Sequence, residues 1–336
     1  MTLDLREMTS RHSLDSLRRM AGVGCLACVA LVMVVGSARS PMAVAQTTPT
    51  GAVPAGAYAR AELLIEAAEL KAARAGNGKR LVLDARTAEK FQESHLKDAI
   101  NVSGVDLAKD YGDGLDPAAT NRRLGQLGID RDTEVIVYDD RAGQDGARIW
   151  WYLKYWDLPH ARLVNGGWKA IQAVGLPTEA GAGRTPTPGT YASKSNDLRR
   201  IDLATLVTAH RAGRVGTKQS DAIQVIDART EKEYRGEQKT GGERTGTIPG
   251  ARHLEWADLV DPGTGRFRST SEVGTLFQKL QIRTDQPIVV FSNSRGRSTS
   301  LIFALELAGA AKAQVLDAGF KSWASDADNP VETQAQ

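Results

Sequence analysis

The residues best suited to chemistry lie where an apolar run ends. Ile288-Val289-Val290-Phe291 has the composition of a buried strand, and it leads into Ser292-Asn293-Ser294-Arg295-Gly296-Arg297-Ser298 and then a helical pattern from Thr299 to Leu307. Small residues, a glycine and two arginines between a strand and a helix describe an anion cradle. Backbone N–H groups at such a turn and at a helix N-terminus lack partners, and Arg295 and Arg297 add charge beside them. Ser292 heads the loop, where a nucleophile would be presented. The plainer reading of the same residues is a polar helix start, with Ser298 as its cap.

A thiol is missing from this loop. Both cysteines, Cys25 and Cys28, lie in the run Met20 to Gly36, seventeen residues without a charge, preceded by Arg18 and Arg19 and followed by Ala43-Val44-Ala45. A basic start, an apolar centre and an A-x-A ending are the parts of a secretory signal peptide. The expectation is a leader over residues 1–45 and an exported protein, periplasmic or secreted, that contains no cysteine. The alternative is an uncleaved anchor, since a bilayer span needs about 20 residues. Removing residues 1–45 lowers Lys plus Arg from 43 to 38 and Asp plus Glu from 40 to 37, a net charge of about +1. Such a balance gives no electrostatic case for nucleic acid. Without disulfides, stability must come from packing.

Two stretches punctuate the remaining chain. Residues 46–57 are small and polar and read as a tether. Residues 179–198, with Gly181, Gly183, Pro186, Pro188 and Gly189, read as a linker between domains at 58–178 and 199–336. The two blocks share an internal order. Leu81-Val82-Leu83-Asp84-Ala85-Arg86-Thr87 matches Val225-Ile226-Asp227-Ala228-Arg229-Thr230 at an offset of 143. Val135-Ile136-Val137-Tyr138-Asp139 matches Ile288-Val289-Val290-Phe291-Ser292 at 153, and Gly167-Trp168-Lys169 matches Gly319-Phe320-Lys321 at 152. Duplication is the simplest account. Short β-rich runs alternate with helical patterns at Ala61 to Arg74, Arg148 to Tyr155 and Glu272 to Leu280, which implies an α/β fold: in each block a mainly parallel sheet with helices on both faces. Ligands of such sheets sit beyond the carboxyl ends of the strands, where Asp84, Asp139, Asp227 and Ser292 all fall.

The paired Asp-Ala-Arg segments, Gly246-Thr247-Ile248-Pro249-Gly250-Ala251, the strand-to-cradle loop, Leu316-Asp317-Ala318-Gly319-Phe320 and Asp328-Asn329-Pro330-Val331-Glu332 together resemble the tandem-domain rhodanese, or thiosulfate sulfurtransferase, family, from about Tyr58 to Glu332. The resemblance implies two rhodanese-like domains, the first inactive with Asp139 at its loop head. It implies a second domain whose C-x-x-G-x-R/T loop carries a cysteine that takes sulfur from thiosulfate or 3-mercaptopyruvate. On that pattern Ser292 occupies the cysteine position and Arg297 matches the loop arginine, expected to face the ligand. Arg295 takes the place of the usual glycine and Gly296 follows it, which questions the shape of the cradle if that place needs φ > 0.

Serine changes the chemistry. A thiolate of pKa about 8.5 is readily stabilised by a cationic loop and held as a persulfide, whereas a hydroxyl is far less acidic and needs a general base. The histidines beyond the leader, His95, His160, His210 and His253, show no spacing that sets one against Ser292 or forms a metal site. Asp227 and Arg229, like Asp84 and Arg86, read first as fasteners of the loop after a strand. Trp150, Trp151, Tyr152, Tyr155 and Trp156 read as packing at a core or domain interface. The resulting expectation is a monomer without cofactor or metal that binds a small oxyanion such as thiosulfate or sulfate, or a protein partner, without persulfide chemistry. The rival is an active sulfurtransferase, or another group transferase using the Ser292 loop.

Overall fold

The computed structural model describes residues 58–73, 79–104, 107, 116–217, 222–239, 244–293, 295–310 and 312–333; the leader and tether expected at 1–57, and Ser294, lie outside them. The first half runs through β1 (Leu64–Ile65), α1 (Ala67–Ala73), β2 (Arg80–Asp84), α2 (Ala88–Glu93), β3 (His95–Leu96), β4 (Ile100–Asn101), α3 (Pro117–Gln126), β5 (Glu134–Tyr138), α4 (Gln144–Tyr155), β6 (Ala161–Val164), α5 (Gly167–Ala173) and β7 (Thr178–Glu179). The second half repeats the scheme with β8 (Arg200–Ile201), α6 (Leu203–Arg211), β9 (Gln224–Asp227), α7 (Glu231–Arg235), β10 (Arg252–His253), α8 (Thr270–Lys279), β11 (Ile288–Phe291), α9 (Arg295–Leu307), β12 (Ala313–Leu316) and α10 (Gly319–Ser325).

Each half holds a five-stranded parallel sheet, ordered β4-β2-β5-β6-β1 in the first and β10-β9-β11-β12-β8 in the second. The order is the same in both, as duplication requires. Strands β5 and β11 sit at the centres and are apolar on both faces. Val135 and Val137 of β5, with Ile288 and Val290 of β11, enter one core shared by the two halves, while Ile136 and Tyr138, or Val289 and Phe291, enter separate outer cores. That is the physical meaning of an unbroken apolar strand: each side chain, up or down, meets a layer of helices.

The shared core is where the halves join. Trp150 of α4 meets Phe303 of α9 edge-on with ring centroids 4.9 Å apart, and Phe303 also packs on Phe267 at 4.8 Å. The aromatic cluster expected at a core or interface belongs to the core between the halves, and the two halves form one compact unit. Glu306, buried in the same seam, accepts from Arg199 at 2.6 Å and from Arg60 at 3.2 Å.

Two expectations need correction, and the stretch read as a linker gains detail. The helical pattern at Ala61 to Arg74 breaks into a 3₁₀ turn (Ala61–Leu63), β1 and α1, because Leu64 and Ile65 pair with Leu163 and Val164 at the sheet edge. The helix expected from Thr299 begins at Arg295. The linker is a fastened strap: Gly181 N–H donates to Gln92 O, Gly189 N–H to Gly125 O, and the buried Tyr191 hydroxyl to Trp156 O. Among the described residues no helix is long and apolar enough to cross a membrane.

Candidate anion-binding site

Ser292 follows the last residue of β11 at the carboxyl edge of the sheet and is 1 % exposed. Its carbonyl accepts from Phe320 N–H at 3.0 Å, and Gly319, at φ 66°, lies so close that a Cβ there would stand 2.6 Å from the same oxygen. Asp139 is treated identically in the first half, where Trp168 N–H donates to its carbonyl at 2.7 Å and Gly167 backs onto it with φ 53°. The repeated Gly-aromatic-Lys signature is therefore the brace behind each loop head. Its left-handed backbone and lack of room both demand glycine.

The two loop heads then diverge. Asp139 turns its carboxylate into its own loop and accepts from the N–H groups of Arg141 (3.2 Å), Gly143 (2.9 Å), Asp145 (2.8 Å) and Gly146 (2.8 Å). Burial pushes its pKa up, against the pull of these donors. The second half of the chain closes this cradle from outside. A turn bridged between Val260 and Phe267 sets the Phe267 ring 2.8 Å from where a Gly143 Cβ would be, and Phe267 N–H donates to Asn165 Oδ1 at 3.0 Å. Arg266 pairs with Glu66, and Lys169 donates to Gly263 O.

Ser292 has no such reach. Its hydroxyl donates to Ser298 Oγ and accepts from Ser298 N–H, both at 3.3 Å, where Asp145 N–H meets the Asp139 carboxylate in the first half. The first turn of α9 is built from the loop itself: Ser298 Oγ donates to Arg295 O at 3.1 Å, Thr299 Oγ1 to Arg295 O at 2.7 Å and Ser300 Oγ to Gly296 O at 2.9 Å. Ser298 is thus bonded backwards inside the helix and is not its cap. Arg295 and Gly296 both stand within the right-handed helix α9, so the arginine at the place of the family glycine imposes no left-handed strain. The N–H groups of a helix's first turn lack an intrahelical acceptor, and here that of Ser298 meets the loop head.

Arg297, expected to face a ligand, instead clamps Glu233 with both terminal nitrogens, at 2.5 and 3.1 Å, and Asn293 Nδ2 donates to the same carboxylate at 2.6 Å. Glu233 also closes the capping box of α7 with Thr230. Burial works to raise its pKa, but the bonds from Arg297 and Thr230 win and hold it at about 2. Arg295 is held by Asp317 at 2.7 Å, which Arg200 also meets at 2.9 Å. Both loop arginines are thereby matched by fixed carboxylates. The Glu255 carboxyl has its pKa raised by burial and then by Asp258 and Glu233, against His253 and Arg297.

Asp227 and Arg229 fasten the sheet edge. Arg229 forks onto Asp227 with Nε at 2.9 Å and Nη2 at 2.6 Å, donates to Gly246 O at 2.6 Å and lies 3.9 Å above the Phe320 ring. Arg86 does the same with Asp84, Ser94 O and Trp168. A device present in both halves, including one whose cradle is filled, is a structural clamp. His253 Nε2 is 2.8 Å from Arg229 O, His95 Nδ1 is 2.7 Å from Phe91 O, and burial lowers the pKa of His210. Among the described residues no three of His, Cys, Asp and Glu gather in a group that could hold a metal.

Sequence reasoning missed Glu233, Asp317 as an ion-pair partner, and the Val260–Phe267 turn. For Glu233 a signal existed: Thr230-Glu231-Lys232-Glu233 is a capping-box pattern, which announces a buried carboxylate at a helix start.

The Rhodanese-like domain model matches residues 66–174 and again 215–326. The 3-mercaptopyruvate sulfurtransferase of Escherichia coli K12 is 25 % identical over 256 residues, covering 74 % of this chain and 87 % of that protein. The thiosulfate sulfurtransferase of Corynebacterium glutamicum is 27 % identical over 290 residues, covering 82 % and 92 %. The crystal structure of YnjE shares the fold at a TM-score of 0.68 with 22 % identity, covering 82 % of this chain and 69 % of that one.

Proposed function

Because the chain belongs to the rhodanese-like family, with the family domain present twice, we propose that it is an exported member that binds a small oxyanion such as thiosulfate or sulfate at the Ser292 loop without passing sulfur through a persulfide. The observation that carries this reading is the divergence of the two loop heads. One holds a carboxylate of its own, Asp139, on four backbone N–H groups; the other carries Ser292, too short to fill the equivalent place. A ligand supplying the missing negative oxygens would satisfy the first turn of α9 as Asp139 satisfies its own loop.

Ser292 stands where the family resemblance puts the nucleophile, and the chain has no cysteine after Cys28. Sulfur transfer from thiosulfate requires a thiolate to attack the outer sulfur, forming a cysteine persulfide and releasing sulfite. A serine hydroxyl has no comparable route. It would need a base; its hydroxyl meets that of Ser298, and Nε2 of His253 faces the Arg229 carbonyl.

The relatives named for thiosulfate and 3-mercaptopyruvate favour a second reading, an active sulfurtransferase or group transferase that uses the loop without cysteine. One experiment separates the two. Purified natural protein is titrated calorimetrically with thiosulfate and sulfate and assayed for sulfur transfer to cyanide, beside Ser292→Ala and Ser292→Cys. Binding without turnover, with persulfide gained only by Ser292→Cys, is expected. Robust turnover by the natural protein that Ser292→Ala abolishes would establish the second reading.

A further inference from the structure

The amino edge of the first sheet, opposite the edge that carries the Asp139 loop head, holds a cavity of about 390 Å³ beside the end of α4 and the starts of β5 and β6. That is room for a small ligand, since such sites usually measure about 300–1,000 Å³. Arg60, Lys154 and Arg162 line its charged wall, and Leu63, Pro159 and Ala161 its apolar wall.

The cations here outnumber their carboxylates. Arg162 is held by the Leu64 carbonyl at 2.6 Å and by Glu134 at 3.2 Å, and Glu134 also accepts from Arg80 at 2.6 Å. Arg60 meets Glu62 at 2.9 Å and Glu306 at 3.2 Å, while Glu306 is shared with Arg199 at 2.6 Å. Lys154 receives none of these acids. Its ammonium donates to Pro159 O at 2.8 Å and, among the described residues, has no ion-pair partner. Asp157, three residues on, already meets Arg131 at 3.4 Å. Five cations (Arg60, Arg80, Lys154, Arg162 and Arg199) are thus set against three carboxylates (Glu62, Glu134 and Glu306). Burial and then Arg199 push the pKa of Lys154 down, against the pull of Glu306.

The second half shows how the same place can be neutralised. Lys154 is next to last in α4, and Glu306 is next to last in α9. There a carboxylate gathers two arginines; here an ammonium adds to them. Residues 46–57 and 74–78, adjoining the described parts of this half in sequence, contain no Asp or Glu that could supply the charge.

We propose that the cavity is a second anion site, separate from the Ser292 loop, which takes a small carboxylate with an apolar body. Its carboxylate pairs with Lys154 beside Arg60 and Arg162, and its body covers Leu63, Pro159 and Ala161. An organic acid suits these walls better than an inorganic oxyanion, which would leave the apolar wall uncovered. Lys154 is half-buried, so a pair formed there is screened less than one at the open surface.

The full chain is titrated calorimetrically with benzoate at constant ionic strength, beside benzyl alcohol, its uncharged counterpart, and inorganic phosphate. In parallel, lysine acetylation by acetic anhydride is mapped by mass spectrometry with and without benzoate. Saturable binding is expected for benzoate and not for benzyl alcohol or phosphate. Benzoate should shield Lys154 from acetylation several-fold and leave the exposed Lys321 unchanged. Lys154→Met should weaken benzoate binding about tenfold or more, and Lys154→Arg should recover most of it. Benzoate that does not saturate, that leaves Lys154 unshielded, or that binds Lys154→Met as well as the natural protein would overturn the proposal, as would tighter binding of phosphate than of benzoate. Loss of thiosulfate binding in Lys154→Met would overturn the separation from the Ser292 loop. The acetylation map uses the natural protein and decides even where Lys154→Met does not fold.

Discussion

Arg297 and Glu233 form a two-pronged ion pair, 2.5 and 3.1 Å, that joins the cradle loop to the start of α7. Its counterpart in the first half has the charges exchanged: Lys90, at the third position of α2, meets Asp140, the neighbour of the loop head. The two halves thus tie the same loop to the same helix with opposite polarity. In the second half the tie absorbs the arginine that the family resemblance assigns to the ligand.

Acid should weaken this tie. Glu233 has an ordinary pKa of 4.5 and is held at about 2 in the folded protein, so its contribution to stability is complete above about pH 4.5 and is lost as pH falls toward 2. Urea unfolding between pH 7 and pH 3 should show the natural protein losing stability on the acid side. Glu233→Gln should be less stable at pH 7 by on the order of 2 kcal/mol and should show a flatter slope over that range. Equal slopes would deny the pair this role.

Removing the carboxylate that fills the first cradle should leave four backbone donors without that acceptor. Asp139→Ala is expected to destabilise by about 2–4 kcal/mol, and Asp139→Asn, whose single carbonyl oxygen serves fewer donors, to recover only part. Denaturant midpoints for the three proteins check this, with m-values confirming a common unfolded state.

The seam between the halves predicts a shared unfolding event. Trp150 is wholly buried against Phe303, so Trp150→Ala should cost about 3–5 kcal/mol. Differential scanning calorimetry should show one transition moving down in temperature. Two separated transitions would mean that the shared core does not couple the sheets.

The duplicated Asp-Arg clamp predicts matching penalties. Lysine cannot reproduce the fork onto the aspartate or the stacking of guanidinium on the aromatic ring, so Arg86→Lys and Arg229→Lys should each cost about 2–4 kcal/mol. Anion affinity of Arg229→Lys, measured where it remains folded, should stay near that of the natural protein. A large loss there would move Arg229 from the scaffold into the site.

Much of this architecture was legible in the sequence because buried parallel strands are written without interruption. Val135 to Tyr138 and Ile288 to Phe291 are apolar at every position, and both sheet faces are covered, so the run itself announced a central strand. The braces at Gly167 and Gly319 were visible as a repeat before their purpose was. The start of α9 was hidden, since Arg295, Gly296, Arg297 and Ser298 give no apolar periodicity, and their helical state follows from bonds such as Ser298 to the Arg295 carbonyl. Leu63, Leu64 and Ile65 misled in the opposite direction: three apolar neighbours fit a helix pattern until β6 offers two of them an edge. The fate of the loop arginines was illegible because Glu233 and Asp317 lie 64 and 22 residues away along the chain, and only the fold brings the charges together.

The turn at Val260–Phe267 leaves the second half to seal the first half's loop, and Arg148 leaves the first half to press on the second's. Each copy has thus delegated a piece of its own loop to its twin. A substitution on one side therefore acts on the loop of the other, and an isolated half would lack side chains that shape its own loop.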